Sequence, residues 1–563
     1  MLPVSRYAQC RAPRWRIAVV LLLVALPFAS VRADAMGTTY TATTVAALIA
    51  DINAANATPA QGPYTITLAT GGLYTLTAEA MTGSGTGLPA IVSGVDLTII
   101  GNGATIQRNE ATANLRLLLV NSGATLRLTA LTLRDGQVTG AAGTNGGNGT
   151  GNSGVAGGFA RGGAIYNNGA LIVTRDTFMQ NGVAGGAGGN GGSGASGGVI
   201  GGIGGNGGAG GNAAGGAIYN GGMLTITNST FVANSATAGI GGSGGSAGTG
   251  TSGNGVDGYG ANGGNGQGGT IANVANTSQF ITNSTITTGG AMGGVGGTGR
   301  SGISGTGASM GGGVFNGGSG ITLTNAIFSS NNATVGGNCA GNTLVDGGYN
   351  LEFNPATTCG FTNNAQSGDP LLGALANHGG PTQTVAVGSG SAAINHGNPT
   401  VCAGTTGSAP VGGVDQRGLP RPVGQCSIGA FEPQAPPTLT AMNPISGPVA
   451  GGSSVRLIGA GFLPGATITF GLKPSTTVTV INPTTITVTT PASIAGTVSV
   501  TVTNPDLQAT SPMPYTYGTV ATAPGARLTG VSITGSPAPL PRAKRPSGTP
   551  SGGGPPSPLP PHR

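Results

Sequence analysis

GGAIYNGGMLTITNSTFVAN, from Gly215 to Asn234, decides the fold, because variants of it recur along the chain. An earlier copy, GGAIYNNGALIVTRDTFMQN, runs from Gly162 to Asn181, and a later one, GGGVFNGGSGITLTNAIFSSN, from Gly311 to Asn331. A degenerate copy, GGTIANVANTSQFITNSTITTG, begins at Gly268. The copies start 53, 53 and 43 residues apart. Self-similarity at such a period predicts a solenoid in which each copy forms a coil.

Each copy alternates Val, Ile, Leu or Thr in short runs between Gly and Asn, which is typical of short strands joined by tight turns. A Phe near the end of the phrase is expected to stack on its equivalent in the next coil. An Asn three residues later is expected to form a hydrogen-bonded ladder along the stack. The degenerate copy has Ile286 and Gly289 at these places, which predicts an interruption. The expected ladder residues are Phe178, Asn181, Phe231, Asn234, Phe328 and Asn331.

The flanking sequence resembles that of known β-helices. LTIIGNGATIQR, from Leu97 to Arg108, and LLLVNSGATLRLTALTLRDG, from Leu117 to Gly136, resemble the opening coils of exported bacterial proteins of the pectin-lyase-like type. The recurring phrase resembles the GGAI and FxxN repeats of polymorphic outer-membrane proteins. These resemblances imply an all-β chain whose main body is a right-handed parallel β-helix.

One helix is predicted ahead of the coils. Val45, Leu48, Ile49 and Ile52 are spaced to form one apolar face, and Thr44 is suited to the N-cap. We expect this helix to cover the open end of the sheet, since an uncovered edge invites aggregation.

Glycine-rich inserts separate the copies, at residues 182–214, 235–267 and 290–310. They offer few side chains to bury and lose much backbone entropy on ordering, which predicts long surface loops. An ordered bundle of glycine strands is the alternative. A phosphate-binding loop would need a Lys or a following helix, and calcium-binding repeats would need a regular Asp where Asp257 stands alone.

Two further modules follow. DPLLGALANHGGPT (Asp369 to Thr382), VDQRGLPRP (Val414 to Pro422) and CSIGAFE (Cys426 to Glu432) resemble the bacterial choice-of-anchor Q domain, which implies last coils and a disulfide-pinned C-terminal cap. PTLTAMNPISGPVAGGSSVRLIGAGFLPGATITFG, from Pro437 to Gly471, resembles the IPT/TIG domain, an immunoglobulin-like β-sandwich. Arg456 and Lys473 are its only basic residues, so a spacer or interaction module is favoured over DNA binding.

The two ends differ from this body. Basic residues up to Arg16, the apolar run from Ile17 to Phe28 and a small-residue cleavage site predict a secretory signal peptide; a retained membrane anchor is the alternative. The Pro, Gly and Ser of the C-terminal tail predict disorder. Predicted segments are a signal peptide (1–35), a β-helix (36–337), the anchor-Q-like module (338–433), the sandwich (434–518) and the tail (519–563).

The charge and the cysteine content narrow the range of possible functions and cellular locations of the chain. Of 563 residues 6% are charged, and the formal net charge of +7 arises at the two ends, which makes nucleic-acid binding unlikely on sequence grounds. Four cysteines remain after the leader, an even number that suggests disulfides in an exported chain. Among three connectivities we favour neighbour pairing, Cys339 with Cys359 and Cys402 with Cys426. No metal or cofactor motif accompanies them.

Catalysis has one candidate site. Arg134-Asp135 and Arg175-Asp176 both follow an apolar strand, and on neighbouring coils their carboxylates would lie about 5 Å apart, as in retaining glycosidases. Stacked Arg-Asp pairs that neutralise one another are the competing interpretation. His378 and His396 lack a serine motif. The sole Trp lies in the leader, although Tyr166 and Tyr219 could stack on sugars.

The sequence therefore predicts a non-catalytic protein, secreted to the outside or the surface of a bacterium, with roles in adhesion, display or matrix interaction. The expected partner is an extracellular polysaccharide or a surface protein, and the mature chain is expected to have no integral membrane segment. A polysaccharide lyase or hydrolase is the alternative.

Overall fold

The computed structural model describes residues 37–518, except 112–113, 355–357 and 405–410. The predicted signal peptide (1–35) and the predicted disordered tail (519–563) lie outside the described residues. Across the described ranges, no helix combines the length and the apolar character needed to cross a membrane.

The predicted N-terminal helix is present as Val45–Ala57. Thr44 is its N-cap, and the Thr44 hydroxyl accepts the Ala47 N–H at 3.1 Å. Leu48 and Ile52 are fully buried in the same apolar core as the first coils. The helix therefore covers the start of the solenoid through the face that the sequence predicted. Two shorter helices are Pro59–Gln61, a 3-10 turn, and Pro399–Ala403.

Three stacks of parallel strands form the walls of the β-helix. The first sheet comprises Thr38–Ala42, Tyr64–Leu68, Asp96–Ile100, Thr125–Thr129, Ala170–Thr174, Met223–Thr227, Gln279–Thr282, Ile321–Thr324 and Val345–Asp346. The second comprises Leu73–Leu76, Thr105–Arg108, Thr132–Arg134, Thr177–Met179, Thr230–Val232, Thr285–Thr287, Ile327–Ser329 and Leu351–Phe353. The third comprises Leu118–Val120, Ile165–Asn167, Ile218–Asn220, Ile271–Asn273, Val314–Asn316 and Cys339–Gly341.

From Leu118 onward, each coil passes through the third, first and second sheets in that order. Equivalent residues of successive copies sit in register, so that Ile165 pairs with Ile218 and Phe178 pairs with Phe231. Leu171 and Val173 point into the core while Ile172 between them is half-buried, because side chains alternate along a strand. Burial of each such Leu, Ile, Val or Phe contributes roughly 1.5–3 kcal/mol.

The glycine-rich inserts form a regular projection, which we call the glycine slab. Its first layer consists of four outgoing segments, residues 140–149, 185–197, 238–250 and 293–300, and its second of four return segments, residues 151–160, 199–213, 253–266 and 302–309. Gly188 N–H donates to the Ile240 carbonyl within the outgoing layer, and Gly189 N–H donates to Val155 in the return layer, both at 2.8 Å. The prediction of surface loops was therefore wrong, and the ordered alternative is correct.

A period of three residues explains the slab. In segments such as Gly-Gly-Ala and Gly-Gly-Asn, the first glycine bonds within its layer, the second bonds to the other layer, and the third residue faces outward. A chain with three residues per turn has no internal hydrogen bonds, so every donor is free for a neighbouring segment. A Cβ added at Gly188 would lie 1.9 Å from the Gly208 carbonyl oxygen. Only glycine lets the segments approach this closely.

Short strands mark the slab's base and rim. At the base lie two four-stranded parallel sheets, and at the outer end two pairs of strands. One base sheet comprises Ala160–Arg161, Ala213–Ala214, Gly266–Gln267 and Ser309–Met310, and the other comprises Gln137–Thr139, Gly182–Ala184, Ser235–Thr237 and Gly290–Met292. The two outer pairs are Gly198–Ile200 with Gly250–Gly253, and Thr298–Gly299 with Gly302–Ile303.

Residues 338–433 only partly form a terminal cap. The last coil ends near the Cys339–Cys359 disulfide, beside which Phe361 packs on Phe328 with ring centroids 5.9 Å apart. Residues 369–404 and 411–433 then run back along the corner between the first and second sheets, and we call them the lateral strap. Its two strands, Leu372–Ala376 and Thr384–Val387, are antiparallel. The second disulfide, Cys402–Cys426, lies within the strap, so both disulfides have the predicted pairing.

The C-terminal module is an antiparallel, immunoglobulin-like sandwich. Between its sheets lie apolar side chains that include Leu457, Phe470 and Val500. One sheet comprises Thr438–Asn443, Ser454–Ala460, Thr485–Thr489 and Thr477–Asn482, and the other Ser446–Pro448, Met513–Gly518, Gly496–Thr503, Thr467–Phe470 and Lys473–Pro474.

Candidate functional site

The predicted catalytic pair is not assembled. Asp135 follows the second-sheet strand Thr132–Arg134, whereas Asp176 precedes the second-sheet strand Thr177–Met179. Since these strands pair from their first residues, the two aspartates lie at opposite ends of the sheet, about 13 Å apart along the strands at 3.3 Å per residue. Glycosidase carboxyl groups lie about 5–9.5 Å apart. The prediction that Arg134-Asp135 and Arg175-Asp176 occupy equivalent places is wrong.

The error has a structural cause. Every coil contains two apolar strands that end in a turn, one in the first sheet and one in the second. LTLRD ends a second-sheet strand at Arg134, whereas IVTRD ends a first-sheet strand at Thr174. A shared dipeptide after an apolar run therefore does not imply a shared corner.

Both aspartates have structural partners instead. Arg134 Nε donates to Asp135 Oδ2 at 2.7 Å, and Arg108 Nε donates to the Asp135 carbonyl at 2.8 Å. Asp176 is completely buried, and its Oδ1 accepts the Leu131 N–H of the preceding coil at 2.7 Å. Its Oδ2 accepts the Thr174 N–H at 3.1 Å. Burial raises the pKa of Asp176 to about 8.

The same corner recurs in later coils with uncharged residues. Ser229 Oγ accepts the Asp176 N–H at 3.1 Å, and Ser284 Oγ accepts the Ser229 N–H at 3.2 Å. In the last coil, Asn350 Oδ1 accepts the Ala326 N–H at 2.9 Å. Asp176 is therefore one of a series of equivalent side chains, each of which accepts a hydrogen bond from a backbone N–H of the preceding coil.

The Phe and Asn positions of the repeat stack as the periodicity suggests. The rings of Phe178 and Phe231 are parallel with centroids 4.7 Å apart, and Asn181 Nδ2 donates to Asn234 Oδ1 at 3.0 Å. At the degenerate copy Ile286 takes the Phe position, and Gly289 supplies no amide. Beyond that gap Asn331 donates to Asn338 at 2.9 Å.

Sequence reasoning missed a longer ladder. Asn167 donates to Asn220 at 2.6 Å, Asn220 to Asn273 at 2.8 Å, and Asn273 to Asn316 at 3.0 Å. All four side chains are completely buried. The signal was available, because the sixth residue of every copy of the phrase is Asn.

Aromatic and arginine side chains meet where the third sheet joins the slab. Tyr166 and Tyr219 are stacked with ring centroids 4.9 Å apart, and Arg116 lies 5.2 Å above the Tyr166 ring. Arg161 lies between two rings, 5.2 Å from Tyr219 and 5.3 Å from Phe159. The side chain of Arg161 forms neither a hydrogen bond nor an ion pair within the described part of the chain. This corner is a candidate contact for an acceptor-rich ligand.

Both faces of the slab carry exposed apolar side chains. Ile240 and Val295 stand on the outgoing segments, and Phe159, Ile203 and Tyr259 stand on the return segments. Small residues and amides occupy the central part of the return face; these are Ala156, Ala209, Asn206, Asn212, Asn262 and Asn265. Amides also lie on the outgoing face, where Asn190 Oδ1 accepts the Ser243 N–H at 2.9 Å. Both faces therefore combine amides with exposed apolar side chains.

Polar residues of the VDQRGLPRP motif attach the lateral strap. Gln416 Nε2 donates to Thr177 Oγ1 at 2.8 Å and Gln416 Oε1 accepts from Thr230 Oγ1 at 2.5 Å, so one side chain binds two coils. Arg421 pairs with Glu432 at 2.9 Å, both buried. The motif is explained by packing against the coil corners.

A second arginine of the motif joins the strap to the sandwich. Arg417 is fully buried, with Nη2 2.8 Å from Asp415 and Nη1 3.6 Å from Asp506 of the sandwich. Its guanidinium lies 3.8 Å from the Phe431 ring centroid. Asp506 Oδ2 has no hydrogen bond, so this ion pair is its polar contact. The junction is a packed contact between the two modules.

Other groups suited to catalysis or metal binding are dispersed. His378 Nδ1 lies 3.0 Å from Thr384 Oγ1, and burial lowers its pKa, whereas His396 is exposed. A cleft between the second sheet and the strap has Asp369 as its one carboxylate among the lining residues. No group of three His, Cys, Asp or Glu that could hold a metal ion occurs among the described residues.

Together these features define a class: a parallel β-helix with a side projection, followed by an immunoglobulin-like sandwich. For the sandwich, comparison with protein-family models identifies an IPT/TIG domain at residues 437–517, which confirms that part of the predicted resemblance. A search of curated proteins gave no match. The IPT/TIG domain is a generic immunoglobulin-like module, and a fold alone does not specify an activity.

Proposed function

We propose that this is a non-catalytic bacterial protein, exported through the predicted signal peptide, that acts in adhesion, display or matrix interaction at the cell surface or outside the cell. Its coils belong to the polymorphic outer-membrane-protein type, and residues 338–433 to the choice-of-anchor Q type. The partner is an extracellular polysaccharide or a surface protein. The two disulfides support this location, since such bonds persist in oxidising compartments.

The glycine slab is the observation that carries the proposal. Its segments are bonded to neighbours in the same layer and in the other layer, so its outward side chains are held in a fixed array. A preorganised surface loses little conformational entropy when it binds. Tandem coils repeat that surface, which favours a polymeric or multivalent partner.

The placement of the acids speaks against the enzymatic alternative. Asp135 and Asp176 lie at different corners, and Asp176 is buried with both oxygens accepting backbone N–H groups. Neither arrangement leaves a carboxylate pair facing a sugar.

A binding and turnover experiment tests the proposal. The mature chain is incubated with a panel of extracellular polysaccharides and surface proteins, and both retention and release of soluble sugar products are measured. We expect retention by at least one panel member without product release. Product release that disappears in Asp135→Asn would establish the enzyme instead, and absence of retention on every panel member would contradict adhesion.

A further inference from the structure

We infer that the corner where the third sheet joins the slab binds the oxyanion groups, carboxylate or sulfate, of an acidic polysaccharide. We call it the Arg161 corner, and it comprises Arg116, Phe159, Arg161, Tyr166 and Tyr219. The inference rests on the proposed function, because it assumes adhesion and names the site and the charge of the ligand. Three observations support it: two cations without a counter-ion, N–H donors without a partner, and later coils that close without these residues.

Neither arginine of the corner has an acidic partner. The five ion pairs among the described residues all involve other arginines. Arg116 donates to backbone carbonyls, from Nε to Gly162 at 3.0 Å and from Nη2 to Arg161 at 2.9 Å. Burial lowers the pKa of Arg116 to about 10, so Arg116 stays charged at neutral pH. A partly buried cation without a counter-ion carries a desolvation cost, and an incoming anion would reduce that cost.

The rings determine how a ligand can be held. Arg116 of the preceding coil lies over the Tyr166 ring, and Tyr219 of the following coil stacks on the same ring. A sugar therefore finds no free ring face on Tyr166. Arg161 lies over the Tyr219 and Phe159 rings, and a ring face does not take up its N–H groups. The planar fork of such a guanidinium matches a carboxylate or a tetrahedral oxyanion.

Later coils show that the solenoid does not need these residues. Arg161 pairs with Ala214 in the next coil, and Ala214 pairs with Gln267 in the one after. Tyr219 pairs with Ala272. The base sheet and the third sheet continue through all of these coils. Since the same positions accept small or uncharged residues, the architecture does not explain a cation at Arg161.

The surroundings of the corner indicate the class of ligand. Between residues 37 and 518 acidic residues outnumber basic ones, so the folded body offers no extended basic surface of the kind that nucleic acids need. The Tyr219 ring is largely buried, yet its hydroxyl is neither enclosed nor hydrogen-bonded within the described residues. A ligand with oxyanions beside hydroxyls fits this combination. An acidic polysaccharide repeats such groups, so one polymer can hold many copies of the protein.

The test compares dextran with carboxymethyl-dextran and dextran sulfate, so that only the oxyanion differs. Each polymer, and polyglutamate and DNA beside them, is immobilised, and binding of the full mature chain is measured. Arg161→Gln is the test variant, because Gln267 already occupies an equivalent place in the base sheet. Arg300→Gln is the matched control, since Arg300 also lies over a ring, 5.8 Å from the Tyr259 centroid. Circular dichroism and the thermal midpoint establish that each variant is folded.

We expect binding to one or both charged dextrans and none to plain dextran. Arg161→Gln should weaken that binding by about tenfold or more, as expected for hydrogen bonds to a charged group, whereas Arg300→Gln should change it by less than about twofold. Arg161→Lys should restore only part of the affinity, because lysine keeps the charge and lacks the planar fork. Binding to carboxymethyl-dextran identifies carboxylate as a ligand group, and binding to dextran sulfate alone identifies sulfate.

Four outcomes overturn the inference. Equal binding of the charged dextrans by wild type and Arg161→Gln assigns the binding to another basic part of the chain, such as Arg542 and Lys544 of the tail. An equal loss in Arg300→Gln shows a response to net charge alone. Binding to polyglutamate or DNA without either charged dextran excludes the ligand class. A wild type that binds none of these polymers has no such site, and adhesion itself is refuted only if the wider panel of extracellular polysaccharides and surface proteins also shows no retention.

Discussion

Replacing the buried Asp176 by Asn should make the protein more stable at alkaline pH. Asn350 shows how an amide fits this corner: its Oδ1 accepts the N–H of the preceding coil, and its Nδ2 donates to the Leu323 carbonyl at 2.7 Å. The Leu128 carbonyl occupies the equivalent place for Asp176, because Leu131 aligns with Ala326. Asp176→Asn therefore has a precedent within the same chain.

The magnitude follows from the pKa. Burial raises the pKa of Asp176 to about 8, while in the unfolded chain it is about 3.9. Because the pKa of Asp176 is raised in the folded state, its contribution to stability is fully present below pH 4, where the carboxyl is neutral. That contribution is lost as pH rises through 8. Between these limits the folded state holds one proton more, so the free energy of unfolding falls by about 1.4 kcal/mol per pH unit. The total approaches about 5.6 kcal/mol for a complete shift.

Urea unfolding at a series of pH values from 4 to 9 measures this effect. The difference in unfolding free energy between Asp176→Asn and wild type should grow with pH in favour of the variant. Asp176→Ser, which places the residue type of Ser229 at this corner, should show the same trend. Taking the difference between variant and wild type cancels the contributions of other titrating groups. One of these is Glu432, whose pKa is also raised by burial. A difference in unfolding free energy that is constant across the series would refute the reasoning. So would a wild type whose unfolding free energy rises relative to that of the variant at high pH.

Three further changes test the slab, the junction and the strap. Gly188→Ala should lower the free energy of unfolding by about 1–3 kcal/mol through overpacking. In the control Gly253→Ala the added Cβ meets nothing within 4 Å, so the change should be less than about 1 kcal/mol. Equal urea midpoints for the two variants would contradict the close packing of the slab. Arg417→Ala should cost about 3–5 kcal/mol, because it leaves buried acids without a partner, and should make the sandwich sensitive to limited proteolysis. Opening the Cys402–Cys426 bridge by Cys→Ser substitution at both ends should cost roughly 3 kcal/mol in thermal unfolding, and an unchanged midpoint would show that the strap is held by its other contacts.

The sequence predicted the walls of the solenoid well because their pattern is local. Inward residues such as Phe178 and Phe231 recur at fixed places in each copy, and burial selects the same residue type at every level of the stack. The N-terminal helix was predictable for the same reason, since Thr44 and the apolar face from Val45 to Ile52 form one continuous signal.

The candidate sites were less predictable because they depend on register. Asp135 and Asp176 follow similar apolar runs, and only the pairing of Thr132 with Thr177 shows that they occupy different corners. The attachment of Gln416 to Thr177 spans 239 residues. No local pattern specifies a contact across that separation, so the strap resembled a terminal cap until its position on the coils was known.

The glycine content of the inserts led to a wrong prediction of loops, whereas their three-residue repeat is consistent with the ordered slab. Glycine raises the entropic cost of ordering, which argues for loops when each segment is considered alone. That cost is offset when every segment has neighbours, since two of every three N–H groups then bond to adjacent segments at about 2.8 Å. The same packing dictates glycine at two positions in three, as Gly188 illustrates, and leaves the third position free to vary. Residues such as Asn206 and Ile240 occupy that third position, so variation there alters the exposed surface while the framework that holds it stays intact.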